Sequence, residues 1–228
     1  MNTHYTYFLI LAASIAGPLA LSFDKKVAFY KKWKYLFPAI LLPALIYIVW
    51  DIFFTAKGVW SFNENYITGF KIAKLPIEEV LFFIVVPYCC VFIYECIKCY
   101  FPKTIQLKFG AQMMIALAAL LLITGCIYYD KYYTSYTFIF TAACIVLVLA
   151  FKKFFTGFSA SLFLVAYAII VIPFLIVNGF LTAIPVVLYN DAENLGIRIT
   201  TIPFEDVFYG MTLVLLTIAI FEKLRTIS

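Results

Sequence analysis

The chain of 228 residues is 65% hydrophobic and only 13% charged, with a formal net charge of +5 and a mean hydropathy of +1.02. Soluble domains are closer to half apolar and a quarter charged, so the composition excludes a soluble globular protein and indicates one integral membrane domain. The positive balance then reads as the loop bias of a membrane protein, and no nucleic-acid partner is expected.

A spanning helix needs about 20 mostly apolar residues. Seven stretches qualify: about 5–21, 35–53, 77–97, 109–128, 133–150, 158–177 and 204–221. These are continuous apolar runs, not the short alternating strands of a closed barrel. The first lacks a basic leading region and a cleavage site, so no cleavable signal peptide is expected. Tyr and Trp at many segment ends fit interfacial belts.

Basic residues set the expected orientation. Lys25, Lys26, Lys31, Lys32, Lys34, Lys98, Lys103, Lys108, Lys152, Lys153, Lys223 and Arg225 fall on one side. Lys57, Lys71, Lys74, Lys131 and Arg198 fall on the other. The richer side is expected to be cytoplasmic, with the N-terminus outside, in a multi-pass protein of the cell membrane.

One stretch occurs twice. Residues 50–80 align without a gap on residues 177–207, each residue matching the one 127 positions on. Phe53/Phe180, Thr55/Thr182, Asn63/Asn190, Gly69/Gly196, Pro76/Pro203 and Glu78/Glu205 are identical, and Glu79/Asp206 and Lys71/Arg198 keep their chemistry. Shared apolar composition does not match Asn, Gly, Pro and a carboxylate pair in one register. The expected fold is therefore all-α, about seven transmembrane helices in two parallel three-helix repeats joined by a linker helix (3+1+3). Repeat 1 is expected over about 1–100, the linker over about 105–130 and repeat 2 over about 131–228, in one domain. An odd helix between three-helix units gives both the same direction, hence a pseudo-two-fold axis along the membrane normal.

The repeated loops, about 54–76 and 178–203, are expected on the non-cytoplasmic side, folding back over the bundle as lids. The apolar piece 179–188, interrupted by Pro185, suits a re-entrant or interfacial segment. Pro76 and Pro203 are expected in the first helical turns, where a missing N–H costs nothing. That puts Glu78/Glu79 and Glu205/Asp206 at the starts of the third and seventh helices. Acids there are also simple helix caps, favoured by about 0.3–1 kcal/mol. Two such pairs in matching positions at the edge of an apolar phase favour function, because ionisable groups at membrane depth usually face a cavity or a partner. Adjacent helical residues point about 100° apart. Glu78 with Glu205 is expected to form the proton-handling couple, with Glu79 and Asp206 tuning charge.

Asp51, which matches Asn178, is expected to join that cluster, and Asn63 and Asn190 to hold the lids. Trp60, Phe62, Phe82, Phe83, Tyr189, Phe208 and Tyr209 flank the acids, and ring faces stabilise cations. Glu95 is expected to snorkel at the cytoplasmic end, and His4 has no assigned role. The six cysteines read as small apolar residues, although Cys96 and Cys99 have the spacing of a redox pair. No G-x-G-x-x-G opens the chain and no His/Cys set has metal-ligand spacing, so no cofactor and no metal are expected. A retinal Schiff base is disfavoured because no Lys lies in the middle of the seventh segment.

With Trp50-Asp51-x-x-x-Thr55-x-x-Gly58-x-Trp60 and the twin motifs Pro76-Ile77-Glu78-Glu79 and Pro203-Phe204-Glu205-Asp206, the chain resembles the membrane-integral lycopene cyclases. These are made of two small subunits in some bacteria and fused in archaea and fungi. The second copy departs from the first: Gly58 and Trp60 become Pro185 and Val187. The resemblance implies β-cyclisation of the ψ-ends of lycopene to γ-carotene and then β-carotene, an isomerisation without net redox change. It places Glu78, Glu79, Glu205 and Asp206 as catalytic groups, and Trp60, Phe62, Phe82, Tyr189, Phe208, Asp51, Asn63 and Asn190 around the substrate. The implied partners are lycopene and the bilayer, with room for a homo-oligomer. Two other classes share the layout: a small transporter with parallel repeats, although no Pro-Gln pair sits at equivalent helix positions, and a non-catalytic carotenoid- or lipid-binding protein.

Overall fold

The computed structural model describes residues 3–101 and 107–227. Lys103 and the first residues of the expected linker, 105–106, lie outside them. Among the described residues are seven helices long and apolar enough to cross a membrane. They are α1 (Thr6–Leu21), α2 (Trp33–Lys57), α3 (Ile77–Tyr100), α4 (Gly110–Ile127), α5 (Tyr132–Ala150), α6 (Ala160–Ala183) and α7 (Glu205–Ile227). The chain is an all-α multi-pass membrane protein. Helices satisfy every backbone group internally, the condition for a segment in hydrocarbon. Pro18, Pro38, Pro43, Pro87 and Pro173 sit inside them without ending them. Tail residues past the apolar runs extend α2 and α7 beyond the expected ends.

α1 packs on α3 and α5 on α7. α2 also crosses to α7 and α6 to α3, while α4 lies against α5 and α6. The α1–α3 and α5–α7 pairings correspond at the 127-residue offset, as do α2–α7 and α6–α3.

The segment 179–188 is not re-entrant. Gly179–Ala183 complete the last turn of α6, and Pro185, which cannot extend a helix, precedes strand β4 (Val187–Tyr189). β4 pairs antiparallel with β1 (Trp60–Phe62) in the register Trp60↔Tyr189, Ser61↔Leu188, Phe62↔Val187. Shifting either partner by 127 positions returns the same pairs, so the ladder is its own mate, as a two-fold axis through Ser61/Leu188 requires. Two outer bonds repeat this reciprocity, Asn63 N–H to Val186 O and Asn190 N–H to Val59 O, both 2.9 Å. Beside the ladder lie two matching hairpins, β2 (Lys71–Ile72) with β3 (Leu75–Pro76), and β5 (Arg198–Ile199) with β6 (Ile202–Pro203). Gly69 and Gly196 enter them at φ +87 and +72, a conformation that glycine adopts without steric cost.

Pro76 and Pro203 are thus not in the first helical turns. They close β3 and β6, and Pro76, at φ −56 and ψ 143, is the N-cap of α3. One fixed φ serves both the extended strand end and the helix entry.

At the far ends of α3 and α7, Glu95 pairs with Lys32 and with Arg225 (2.9 Å), and Glu222 pairs with Lys98 (2.5 Å) and with Arg225 (3.0 Å). Tyr94 also donates to Glu222 Oε1 at 2.9 Å. Glu95 and Lys98 match Glu222 and Arg225 at the same 127-residue offset, so the two helices are clamped by exchanged ion pairs. Glu95 does not snorkel: it is 1% exposed, because bases from α7 and from the α1–α2 connection close over it.

Candidate active site

The ladder and the first turns of α3 and α7 roof a narrow cavity of about 40 Å³. Strand alternation turns Trp60 and Phe62 on β1, and Val187 and Tyr189 on β4, into it. From below come Tyr7 on α1, Asp51 on α2, Glu79 and Phe82 on α3, Tyr133 on α5, Asn178 and Thr182 on α6, and Asp206 and Tyr209 on α7. Three carboxyl side chains therefore converge on one space, Asp51 and Asp206 at 2% exposure and Glu79 at 8%.

Their surroundings differ. Asp206 Oδ1 accepts from the Tyr133 hydroxyl. Its Oδ2 accepts from Tyr189 (2.9 Å) and from Asn178 Nδ2 (3.3 Å). Glu79 Oε2 accepts from Tyr7 at 2.5 Å. Asp51 Oδ2 and the Tyr209 hydroxyl are buried and have no hydrogen-bond partner among the described residues. Burial pushes the Tyr189 hydroxyl well above its ordinary value, and the adjacent Asp206 carboxyl pushes it the same way, so Tyr189 stays a donor.

The acids expected to act together, Glu78 and Glu205, are not among the residues lining this cavity. Both are fully buried, and both turn toward the loops. Glu78 Oε1 accepts from Thr68 N–H at 2.6 Å, and Glu205 Oε1 from Leu195 N–H at 2.8 Å. Each bond reaches ten residues back to matching loop positions. Glu205 also accepts from Thr134 Oγ1 at 2.6 Å. The 100° step between neighbours does separate the acids of each pair, but with the first acid on the loop and the second on the cavity.

Of the expected substrate contacts, Trp60, Phe62, Phe82, Tyr189 and Asp51 line the cavity, and Phe208, Asn63 and Asn190 do not. Phe208 packs edge-on against Phe138 and Phe204. Asn63 Oδ1 caps its own turn at Asn65 N–H, and Asn190 Nδ2 reaches Gly58 O at 3.2 Å, so both serve the loops. His4, given no role, lies 3.1 Å through Nδ1 from Glu64 O and ties the N-terminal turn to the first loop.

Sequence reasoning missed Tyr7, Tyr133, Thr134 and Thr182. Tyr7 and Thr134 stand 127 positions apart and each donates to an acid of its own half. Extending the self-alignment to the first helix would have exposed that pair. Among the described residues, no group of three His, Cys, Asp or Glu side chains is arranged to hold a metal ion.

Comparison with known proteins is consistent with this geometry. A family model described as lycopene cyclase matches residues 4–97 and 130–224, which brackets both halves and omits all of α4. The curated bifunctional lycopene cyclase/phytoene synthase of Aspergillus niger is 25% identical over 117 residues, covering 48% of this chain and 20% of that protein. The chain thus matches about a fifth of that relative's length. No solved structure matches the chain.

Proposed function

From the premise that the chain belongs to the lycopene cyclase family, we propose that it is a lycopene β-cyclase working by acid–base chemistry in the cavity under the ladder. The observation that carries this reading is the convergence of Asp51, Glu79 and Asp206 with four tyrosines and Trp60 in one buried space.

The chemistry balances without a co-reactant. A carboxylic acid adds a proton to the terminal alkene of a ψ-end, giving a tertiary cation. The neighbouring double bond attacks that cation and forms the ring C–C bond. A carboxylate then removes a ring proton, leaving the β double bond and restoring the proton count. The ψ-ends of lycopene cyclise in turn, through γ-carotene to β-carotene.

Roles follow from the surroundings of each acid. Glu79, held by Tyr7 alone, and Asp51, with one oxygen uncommitted, exchange the proton with substrate. Asp206, fixed by three donors, faces the developing cation as an oriented charge, the kind of preorganised group that stabilises a transition state most. The rings of Trp60, Phe62, Phe82 and Tyr209 offer their faces to the same cation. Glu78 and Glu205 keep the loops closed over the site.

Expression in lycopene-accumulating cells tests the reading. γ-Carotene and β-carotene should appear with the wild-type chain and not with a vector control. Unchanged lycopene at normal protein level would favour a non-catalytic carotenoid-binding protein instead.

A further inference from the structure

A second cavity of about 260 Å³, almost wholly apolar, opens between α1, α3 and α6. Ser14 and Pro18 line it from α1, Val86 and Cys90 from α3, and Val177 from α6. Phe174 lines both this cleft and the acid cavity, so a single ring divides them. That ring lies against Gly210, where a Cβ would come within 2.6 Å of it. Glycine there lets the divider rest on α7.

The matching face of the other half carries a cleft that does not meet the acid cavity. That cleft, of about 380 Å³, lies between α2 and α5, lined by Val49, Trp50 and Phe140 among others, and it shares no residue with the acid cavity. Trp50 fills the approach, with its ring centroid 4.9 Å from Phe140 and 5.6 Å from Tyr209. At the 127-residue offset, Trp50 and Phe140 correspond to Val177 and Ala13. Bulk keeps that cleft apart from the acids, and small residues stand at the matching positions on the other side.

We propose that the α1/α3/α6 cleft holds the linear polyene chain of the substrate while one end group occupies the acid cavity, and that Phe174 is the divider the chain passes. This rests on the cyclase reading for the identity of the occupant. Ligand sites of this kind are concave and mostly apolar, and this lining is almost wholly apolar. The two adjoining spaces separate a reactive end from an inert chain, as a long hydrocarbon with reactive ends requires. With a single adjoining cleft, the two ends of one molecule react in separate visits, and the one-ring product leaves between them.

Matched substitutions test it, because Ile176 and Val49 are equivalent positions, both exposed and each lining its own cleft. Ile176→Trp should cut conversion of lycopene on the order of 10²-fold, the cost of a misplaced substrate, while Val49→Trp leaves it unchanged. Independently of turnover, Ile176→Cys and Val49→Cys are labelled with a lipid-soluble maleimide in nanodiscs, with peptide mass spectrometry locating the adduct. Lycopene should slow labelling at 176 several-fold and leave 49 unaffected. Protection at 176 without any conversion by the wild type would remove the cyclase reading and support the cleft. Equal effects at both positions, or no protection in a chain that does convert lycopene, would overturn the cleft proposal and leave the cyclase reading standing.

Discussion

Glu78 and Glu79 are neighbours, yet one hydrogen-bonds a loop amide and the other faces a cavity. Isosteric amides separate the two jobs. Glu79→Gln and Asp206→Asn remove the acid from the cavity, and each should lower cyclisation by about 10²–10⁴-fold, the range for general acid–base groups. Glu78→Gln and Glu205→Gln retain an oxygen for the Thr68 and Leu195 amides and should keep most activity. Carotenoid analysis at matched protein levels checks both, and near-complete loss in the Glu78 and Glu205 amides alone would restore them as the proton-handling couple. Tyr189 gives a pH signature. Its folded hydroxyl titrates well above the ordinary phenol value of about 10. The unfolded chain therefore releases that proton first, and stability is full below pH about 10 and falls as pH rises through the interval up to the folded value. Thermal unfolding in detergent should show a loss above pH about 10 that is smaller in Tyr189→Phe. An identical alkaline profile in the two proteins would refute this.

α3 and α7 carry the architecture at the element scale. Each starts with an acid pair under the ladder and ends in an ion pair exchanged with the other. The carboxylates of Glu95 and Glu222 are about 1–2% exposed while their bases are 26–30% exposed. Removing one partner of a buried pair costs about 3–5 kcal/mol, because the remaining charge is stranded. With bases that reach water, the low end applies, so Glu95→Ala and Glu222→Ala should each destabilise by about 3 kcal/mol. Chemical denaturation in mild detergent measures this, and a double variant should lose less than the sum, since both acids share Arg225. Much of this was legible beforehand. Helix positions followed from apolar run length, and the loops from the duplicated Asn, Gly and Pro. What escaped was side-chain direction: the first acid of each pair turns to a loop amide ten residues back and the second to the cavity. Glu95 looked like a surface acid because its partners come from residues distant in sequence.

For the whole molecule, the bond pattern recurring at 127 positions supports two units around one axis, and parallel units need that axis along the membrane normal. From the charge bias we propose that the basic clamp lies in the cytoplasm and both loops outside. A C-terminal reporter fusion should accordingly report from the cytoplasm. An extracytoplasmic signal would invert the assignment of both faces. The acid cavity itself breaks the symmetry. Asp51 has Asn178 as its mate, Phe62 has Tyr189, and the Tyr133 hydroxyl has its counterpart in Thr6. The first half contributes two of the three acids and the second most of the donors, a bias that identity scoring passes over because it rewards only what the halves retain in common.

The ladder also bears on product purity. Ser61/Leu188 falls in step with the bonded pairs 63/186 and 59/190, since bonded pairs in an antiparallel ladder alternate every second residue. Both side chains of that central pair face away from the cavity, and the roof they complete lies between the acids and the aqueous phase. A tertiary carbocation that meets water becomes an alcohol, so under the proposed mechanism the roof would decide whether the product is a clean hydrocarbon. Leu188→Pro removes the central donor without touching a cavity residue. Its carotenoid extract should contain hydroxylated rings beside β-carotene, visible by mass as one added water per ring, whereas an extract holding only hydrocarbon rings would mean that water is kept out by something other than the ladder.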